Sequence, residues 1–140
     1  MGEVRVTVRL TNRLDEVLVR RGLLTPEEVR TCEVVALVDT GAVRTVLPPD
    51  VAARLGLGTF GHEVVEYADG RRECVTLTDP VAVELEGRNT AEEALVLGDE
   101  VLIGQTILEK LDLFVDCQGR RVIPNPAHPD HAVTKIRRAA

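Results

Sequence analysis

Residues 37–47 read Leu-Val-Asp39-Thr40-Gly41-Ala42-Val-Arg-Thr45-Val-Leu, a hydrophobic run that delivers one carboxylate into an Asp-Thr-Gly turn. Gly41 lets the backbone bend tightly and lets a second chain approach closely. The Thr40 hydroxyl can donate and accept at once, which suits it to locking a turn against a neighbour. Asp39 supplies the titratable group, and a lone aspartate, with an ordinary pKa of about 3.9, is simply ionised at neutral pH. Two such carboxylates held roughly 3 Å apart cannot both ionise, so the pair keeps one proton. The ionised member can take a proton from a shared water while the other donates to the oxygen under attack. That is general acid–base hydrolysis, and it needs neither a metal nor a covalent intermediate. The tripeptide occurs once in the chain. These residues therefore describe half a site, with the other half expected from a twin chain.

The elements that must position Asp39 read mainly as strands. Residues 3–10 alternate apolar and polar with period two, as a half-buried strand does. Residues 14–21 carry helical spacing and close near Gly22, and Thr25-Pro26-Glu27-Glu28 is a capping box that starts a short turn through about Arg30. This stretch, about 14–30, is an insertion ahead of the Asp39 strand at 32–38, whose successive Ala36, Leu37 and Val38 predict burial on both faces. Val43–Leu47 reads as a further strand. Pro48-Pro49-Asp50 opens a helix over Val51–Leu55 that Gly56 ends.

Two extended runs, 62–67 and 71–78, meet at Ala68-Asp69-Gly70, a strong hairpin signal. A second hairpin is expected from Val81–Leu85, a turn at Glu86-Gly87-Arg88-Asn89, and Glu93–Leu97. After Val101-Leu102-Ile103-Gly104 comes helical spacing over Gln105–Leu111. Strands at Leu113–Cys117 and Arg120–Ile123 flank a Gln118-Gly119 turn. The proline-rich segment beyond Pro124 predicts no regular structure, so 1–124 is read as one domain and 125–140 as a flexible tail. Many short strands with two or three short helices predict a small closed or partly closed β-barrel.

At 140 residues the chain is one domain with a real core. Its hydrophobic residues make up 44%, nearly all Val, Leu and Ala, with Val-x-Val runs that favour strands. No apolar run approaches the roughly 20 residues a membrane helix needs, and no basic-then-apolar leader opens the chain. A soluble, cytoplasmic protein with no membrane association is the expectation. A net charge of −6 argues against a nucleic-acid partner, although Arg120, Arg121, Lys135, Arg137 and Arg138 make the last 23 residues basic. That basic end reads as a solvated terminus. Cys32, Cys74 and Cys117 are an odd number without a Cys-x-x-Cys pair, and their strand-like contexts suggest small buried hydrophobes.

The pattern hydrophobic-hydrophobic-Asp39-Thr40-Gly41-Ala42-x-x-Thr45-x-hydrophobic, followed some 60 residues later by Val101-Leu102-Ile103-Gly104 before a helix, resembles the retropepsin-like aspartic proteases. The likeness is greater to single-domain bacterial and archaeal members than to viral ones, and it covers about residues 32–124. It implies the acid-protease β-barrel and a homodimer that hydrolyses a peptide or protein substrate, with no cofactor or metal. By that resemblance Asp39 is the catalytic aspartate, Thr40 makes a cross-dimer lock, Gly41 touches the substrate backbone and Ala42 closes the turn. The hairpin at Ala68, Asp69 and Gly70 falls where the family has its flap, and Ile103 and Gly104 pack behind the aspartate turn. The chain departs from viral members at Val43 and Arg44, where they are acidic, and at Gln105, where they carry arginine. Its Asp69-Gly70-Arg71-Arg72 hairpin tip is charged rather than glycine-rich, which implies a different specificity or a less closed lid.

A catalytically silent module that dimerises or binds peptides is the alternative on the same fold. His128-x-x-His131 offers two residues where a zinc site needs three or four, so it reads as an exposed tail. His62 reads as a surface residue. Asp112 and Asp116 lack a following Ser/Thr-Gly and read as turn residues rather than as a second acid, and Asp99-Glu100 read as loop charges.

Overall fold

The computed structural model describes residues 2–138. Strand β1 (Arg5–Asn12) runs into α1 (Arg13–Arg20), whose N-terminus is capped by the Asn12 side chain accepting from the Asp15 N–H at 3.1 Å. Gly22 ends this excursion at φ +73°, the left-handed region that favours glycine. A single 3₁₀ turn, Pro26–Glu28, follows, with the Glu28 carboxylate accepting from the Thr25 N–H and hydroxyl. The insertion is tied back by Asp15, whose carboxylate takes three hydrogen bonds from Arg30 at 3.0 Å. The Arg30 guanidinium holds this carboxyl below its ordinary range.

Strand β2 (Thr31–Val38) leads to the Asp39 turn, then come β3 (Val46–Leu47), α2 (Pro49–Arg54), β4 (Thr59–Glu66), β5 (Arg72–Thr78), β6 (Val81–Leu85), β7 (Arg88–Glu92), β8 (Leu95–Val96), β9 (Leu102–Ile103), α3 (Gln105–Leu111), β10 (Leu113–Asp116) and β11 (Arg121–Pro124). Nine strands form one sheet in the order β4-β5-β8-β3-β9-β2-β1-β6-β7, which curls into a half-barrel, and β10–β11 form a separate two-stranded ribbon. Most pairs are antiparallel; β2–β9 and β3–β8 are parallel. The main core lies inside the curl, where Leu10, Leu47, Leu55, Ile103 and Ile107 have no exposed surface. A second cluster, Val46, Val75, Leu77 and Leu95, sits under the β4–β5 hairpin.

Four expectations are corrected. The strand over Val43–Leu47 shrinks to two residues, because the Val43 carbonyl accepts from α3 and the Thr45 N–H donates to a side chain instead of a ladder. The partner of β6 is Arg88–Glu92, not Glu93–Leu97: Glu86 and Gly87 both have positive φ (53° and 72°) and close a two-residue turn. Leu95–Val96 then crosses to β5 and β3. Strand β2 is buried on one face only in the single chain, with Ala36 fully covered and Val35 60% exposed. Cys74 and Cys117 are exposed and only Cys32 is half-buried, since β5 turns Cys74 outward and Cys117 follows the end of β10.

Among the described residues beyond β11 there is no helix or strand, yet residues 125–133 are held down. Asp112, at the left-handed end of α3, accepts from the Asn125 amide (2.9 Å) and the Val133 N–H (3.1 Å), and its carboxylate lies 2.6 Å from His128 Nδ1. Arg88 donates to the His128 carbonyl at 2.7 Å. His128 is therefore half-buried rather than part of an exposed tail; His131 and His62 are exposed. These bonds, led by that from Asn125, hold the Asp112 carboxyl down at about 2, against 3.8 ordinarily. A depressed carboxyl stabilises the fold above its unfolded pKa and loses that contribution as pH falls through the folded one. The strap is thus expected to stay closed down to about pH 4 and to open toward pH 2. Amide exchange at Val133 across that range checks this; protection unchanged at pH 2 would remove the account.

Candidate active site

Asp39 follows the last paired residue of β2. Its neighbours Leu37 and Val38 align with Leu102 and Ile103 of parallel β9, and the Asp39 N–H extends that pairing by donating to the Ile103 carbonyl at 2.9 Å. The chain then turns back on itself. The Gly41 N–H donates to Asp39 Oδ1 at 2.9 Å and the Ala42 N–H to the Asp39 carbonyl at 3.0 Å. One carboxylate oxygen is thereby fixed, and the half-buried side chain is aimed by its own turn.

Helix α3 holds the far side of the turn. The first N–H groups of a helix lack intrahelical partners. Here Gln105 donates to the Ala42 carbonyl at 2.8 Å and Thr106 to the Val43 carbonyl at 2.9 Å, so the aspartate loop itself caps the helix. Gly104, at the N-cap, permits this approach: a Cβ there would lie 2.7 Å from the Ala42 carbonyl oxygen and 2.9 Å from that of Arg44. The reason is steric, since its φ of −96° suits any residue. Ile103 is fully buried behind the turn.

A groove of about 530 Å³ opens beside Asp39. Asp39, Gly41, Ala42 and Arg44 form one wall; β4 and Ala68 form the other, over Val46, Leu95, Leu97 and Leu102. The structure thus brings Asp39, Gly41, Ala42 and Ala68 together. Asp69 and Gly70 are exposed at the hairpin tip, where Asp69 accepts from the Arg71 N–H and Gly70 has φ +85°. Thr40 points elsewhere, into a recess of about 470 Å³ that it shares with Gln105, Leu108, Asp112 and Phe114. Phe114 is 50% exposed there.

Two features had no sequence signal. Arg44 bridges the walls, 3.2 Å from Glu63 of β4 and 3.7 Å from Glu93. Glu92, 6% exposed at the end of β7, accepts from the Thr45 N–H (2.9 Å), the Thr45 hydroxyl (2.8 Å) and the Thr106 hydroxyl (3.1 Å). It clamps the end of the aspartate loop to the first turn of α3. A glutamate between Ala91 and Glu93 looks like any strand-end charge; only the paired threonines, far apart in sequence, reveal its acceptor role. Glu92→Ala strands buried donors and is expected to cost about 1–3 kcal/mol. A urea midpoint lowered at unchanged slope checks this, and an unmoved midpoint contradicts it.

Among the described residues no group of three or more His, Cys, Asp or Glu is placed to hold a metal ion, and no helix is long and apolar enough to cross a membrane.

A curled β sheet that presents an Asp-Thr-Gly turn, braced by a hydrophobic-Gly pair and the helix after it, defines the retropepsin-like class. The family model described as "gag-polyprotein putative aspartyl protease" matches residues 28–110, and the chain belongs to that family of retropepsin-like aspartyl proteases. The matched segment runs from the 3₁₀ turn through Asp39, both groove walls and Gly104 into α3. No curated protein matches the chain.

Proposed function

We propose that two copies of the chain form a homodimeric aspartic endopeptidase in which the two Asp39 carboxylates share one proton and activate water. The observation that carries this reading is the Asp39 turn itself: one carboxylate, fixed by the Gly41 N–H, opens onto a groove of about 530 Å³ with an apolar floor. The ionised aspartate removes a proton from water, whose oxygen adds to the scissile carbonyl carbon. The protonated aspartate donates to the carbonyl oxygen. The tetrahedral intermediate then collapses, the C–N bond breaks, and the departing amine takes up a proton. The substrate is an extended segment of a peptide or protein lying as a strand against the groove.

In this reading Thr40 locks the two turns across the dimer axis, and its exposure in the recess with Phe114 supports that place for the partner. Gly41 and Ala42 leave room for substrate backbone. The β4–β5 hairpin tip, Ala68, Asp69 and Gly70, is the flap that closes over the peptide and excludes water. Ile103 and Gly104 brace the turn. Three unpaired cysteines fit a reducing cytoplasm.

The test is turnover of a peptide library by the purified chain at acid and neutral pH, with chelator and thiol reagent as controls. Cleavage indifferent to both supports the mechanism, while cleavage at no pH favours the silent peptide-binding module. Gel filtration is expected to give twice the 15.3 kDa chain mass. A strict monomer at assay concentration could not bring two copies of Asp39 together.

A further inference from the structure

The groove beside Asp39 combines an apolar floor with an acidic rim. Val46 and Leu95 are buried in the floor, and Val65, Leu97 and Leu102 pack half-buried against them. Arg44 and Glu63 line the groove, and the same guanidinium also serves Glu93; the two carboxylates are each about one third exposed, so one negative charge is left over beside the groove. Asp39 adds another. An entering side chain therefore meets hydrocarbon at the bottom and net negative charge at the mouth.

The chain carries a segment of the opposite character. Among the described residues, the Val133 N–H, bound to Asp112, is the last group of the strap with a hydrogen bond. Residues 134–138, Thr-Lys135-Ile136-Arg137-Arg138, are exposed and form no helix or strand, and Ile136 is 78% exposed between cations. Asp112, the anchor, lines the same recess as Thr40 of the aspartate turn. Five extended residues reach about 17 Å. An acidic body thus presents an exposed aliphatic residue flanked by lysine and arginine, on a segment anchored through Asp112 at a recess that Thr40 also lines.

We infer that the groove takes an aliphatic side chain flanked by basic residues, and that residues 134–138 of a second copy are such an occupant. This rests on the groove being a peptide site and adds its selectivity. Ile136 fills the floor, and Lys135, Arg137 and Arg138 face Glu63 and Glu93. Exposed pairs of this kind add modest affinity and marked salt dependence.

The test uses the full-length Asp39→Asn chain, which binds without cutting, and a labelled synthetic peptide of residues 133–138 followed by fluorescence anisotropy. Saturable binding is expected that weakens as salt is raised. Replacing the protein's Glu63 and Glu93 together by Gln should weaken it about fivefold. Peptides with Ile136→Ser, or with the three cations replaced by Glu, should bind far more weakly, and these arms leave the protein's fold untouched. Full-length chain carrying Ile136→Ser should bind the native peptide more tightly, because its own tail no longer competes. Equal binding of the acidic peptide, or no saturable binding at low salt, overturns the inference. Failure of the wild-type chain to cleave any library peptide bears on hydrolysis alone and leaves this result standing.

Discussion

Asp39→Asn is expected to abolish peptide hydrolysis while leaving the fold and the assembly intact. The side chains are isosteric, and an asparagine Oδ1 still accepts the Gly41 N–H that fixes the turn. What disappears is the ability to hold or release a proton. Positioned general acid–base groups contribute typically about 10²–10⁴-fold, and a dimer loses both members at once, so kcat should fall by at least that factor. Binding to the groove should change little, which separates kcat from KM.

Mixing sharpens the test. In an equimolar mixture of freely exchanging wild-type and Asp39→Asn chains, about a quarter of dimers pair two wild-type copies. A shared site predicts about that fraction of activity, whereas a site complete in one chain predicts about half. Retention of half the activity would sink the dyad even if the single variant were dead.

Gly104→Ala is the second large effect. The added methyl would sit 2.7–3.0 Å from the Ala42 and Arg44 carbonyl oxygens and the Val43 carbonyl carbon, all backbone, with no flexible side-chain end to move aside. Either α3 or the aspartate loop must shift. A shift breaks the Gln105 and Thr106 bonds to Ala42 and Val43 that hold loop and helix together. Overpacking of this kind costs about 1–3 kcal/mol. Because the strain falls on the loop carrying Asp39, activity should drop more steeply than stability: misplacement by 1 Å is enough for about 10²-fold. Thermal unfolding measured beside kcat/KM reads both quantities. A variant of wild-type activity and stability would show that the contact relaxes freely, against the rigid brace described here.

The candidate site was legible in the sequence to the extent that its parts are local. Asp39-Thr40-Gly41-Ala42 lies on four consecutive residues, and the tight turn follows from Gly41 and the apolar run before it. The Ala68-Asp69-Gly70 hairpin, the capping box at Thr25 and the helix after Gly104 are equally local. Elements went astray where a distant partner takes the hydrogen bonds. Val43 and Thr45 have strand-like side chains, but their backbone groups serve α3 and Glu92, so the strand there is two residues long. Leu95–Val96 leaves the nearer hairpin because Glu86-Gly87 closes on Arg88, freeing it to join β5 and β3.

Residue order alone determined a mainly β domain of the retropepsin-like family, a single Asp-Thr-Gly turn per chain, and its delivery at the end of a strand. Periodicity and turn chemistry act within a few positions, so they survive without knowledge of the rest. The tertiary structure decided that Glu92 would clamp loop to helix, that Arg44 would stand between two glutamates beside the groove, and that Asp112 would strap down residues 125–133. Each joins groups from well-separated parts of the chain: Glu92 is 47 residues from Thr45. Which charges meet across such separations depends on how the sheet curls, and no short stretch of sequence encodes that.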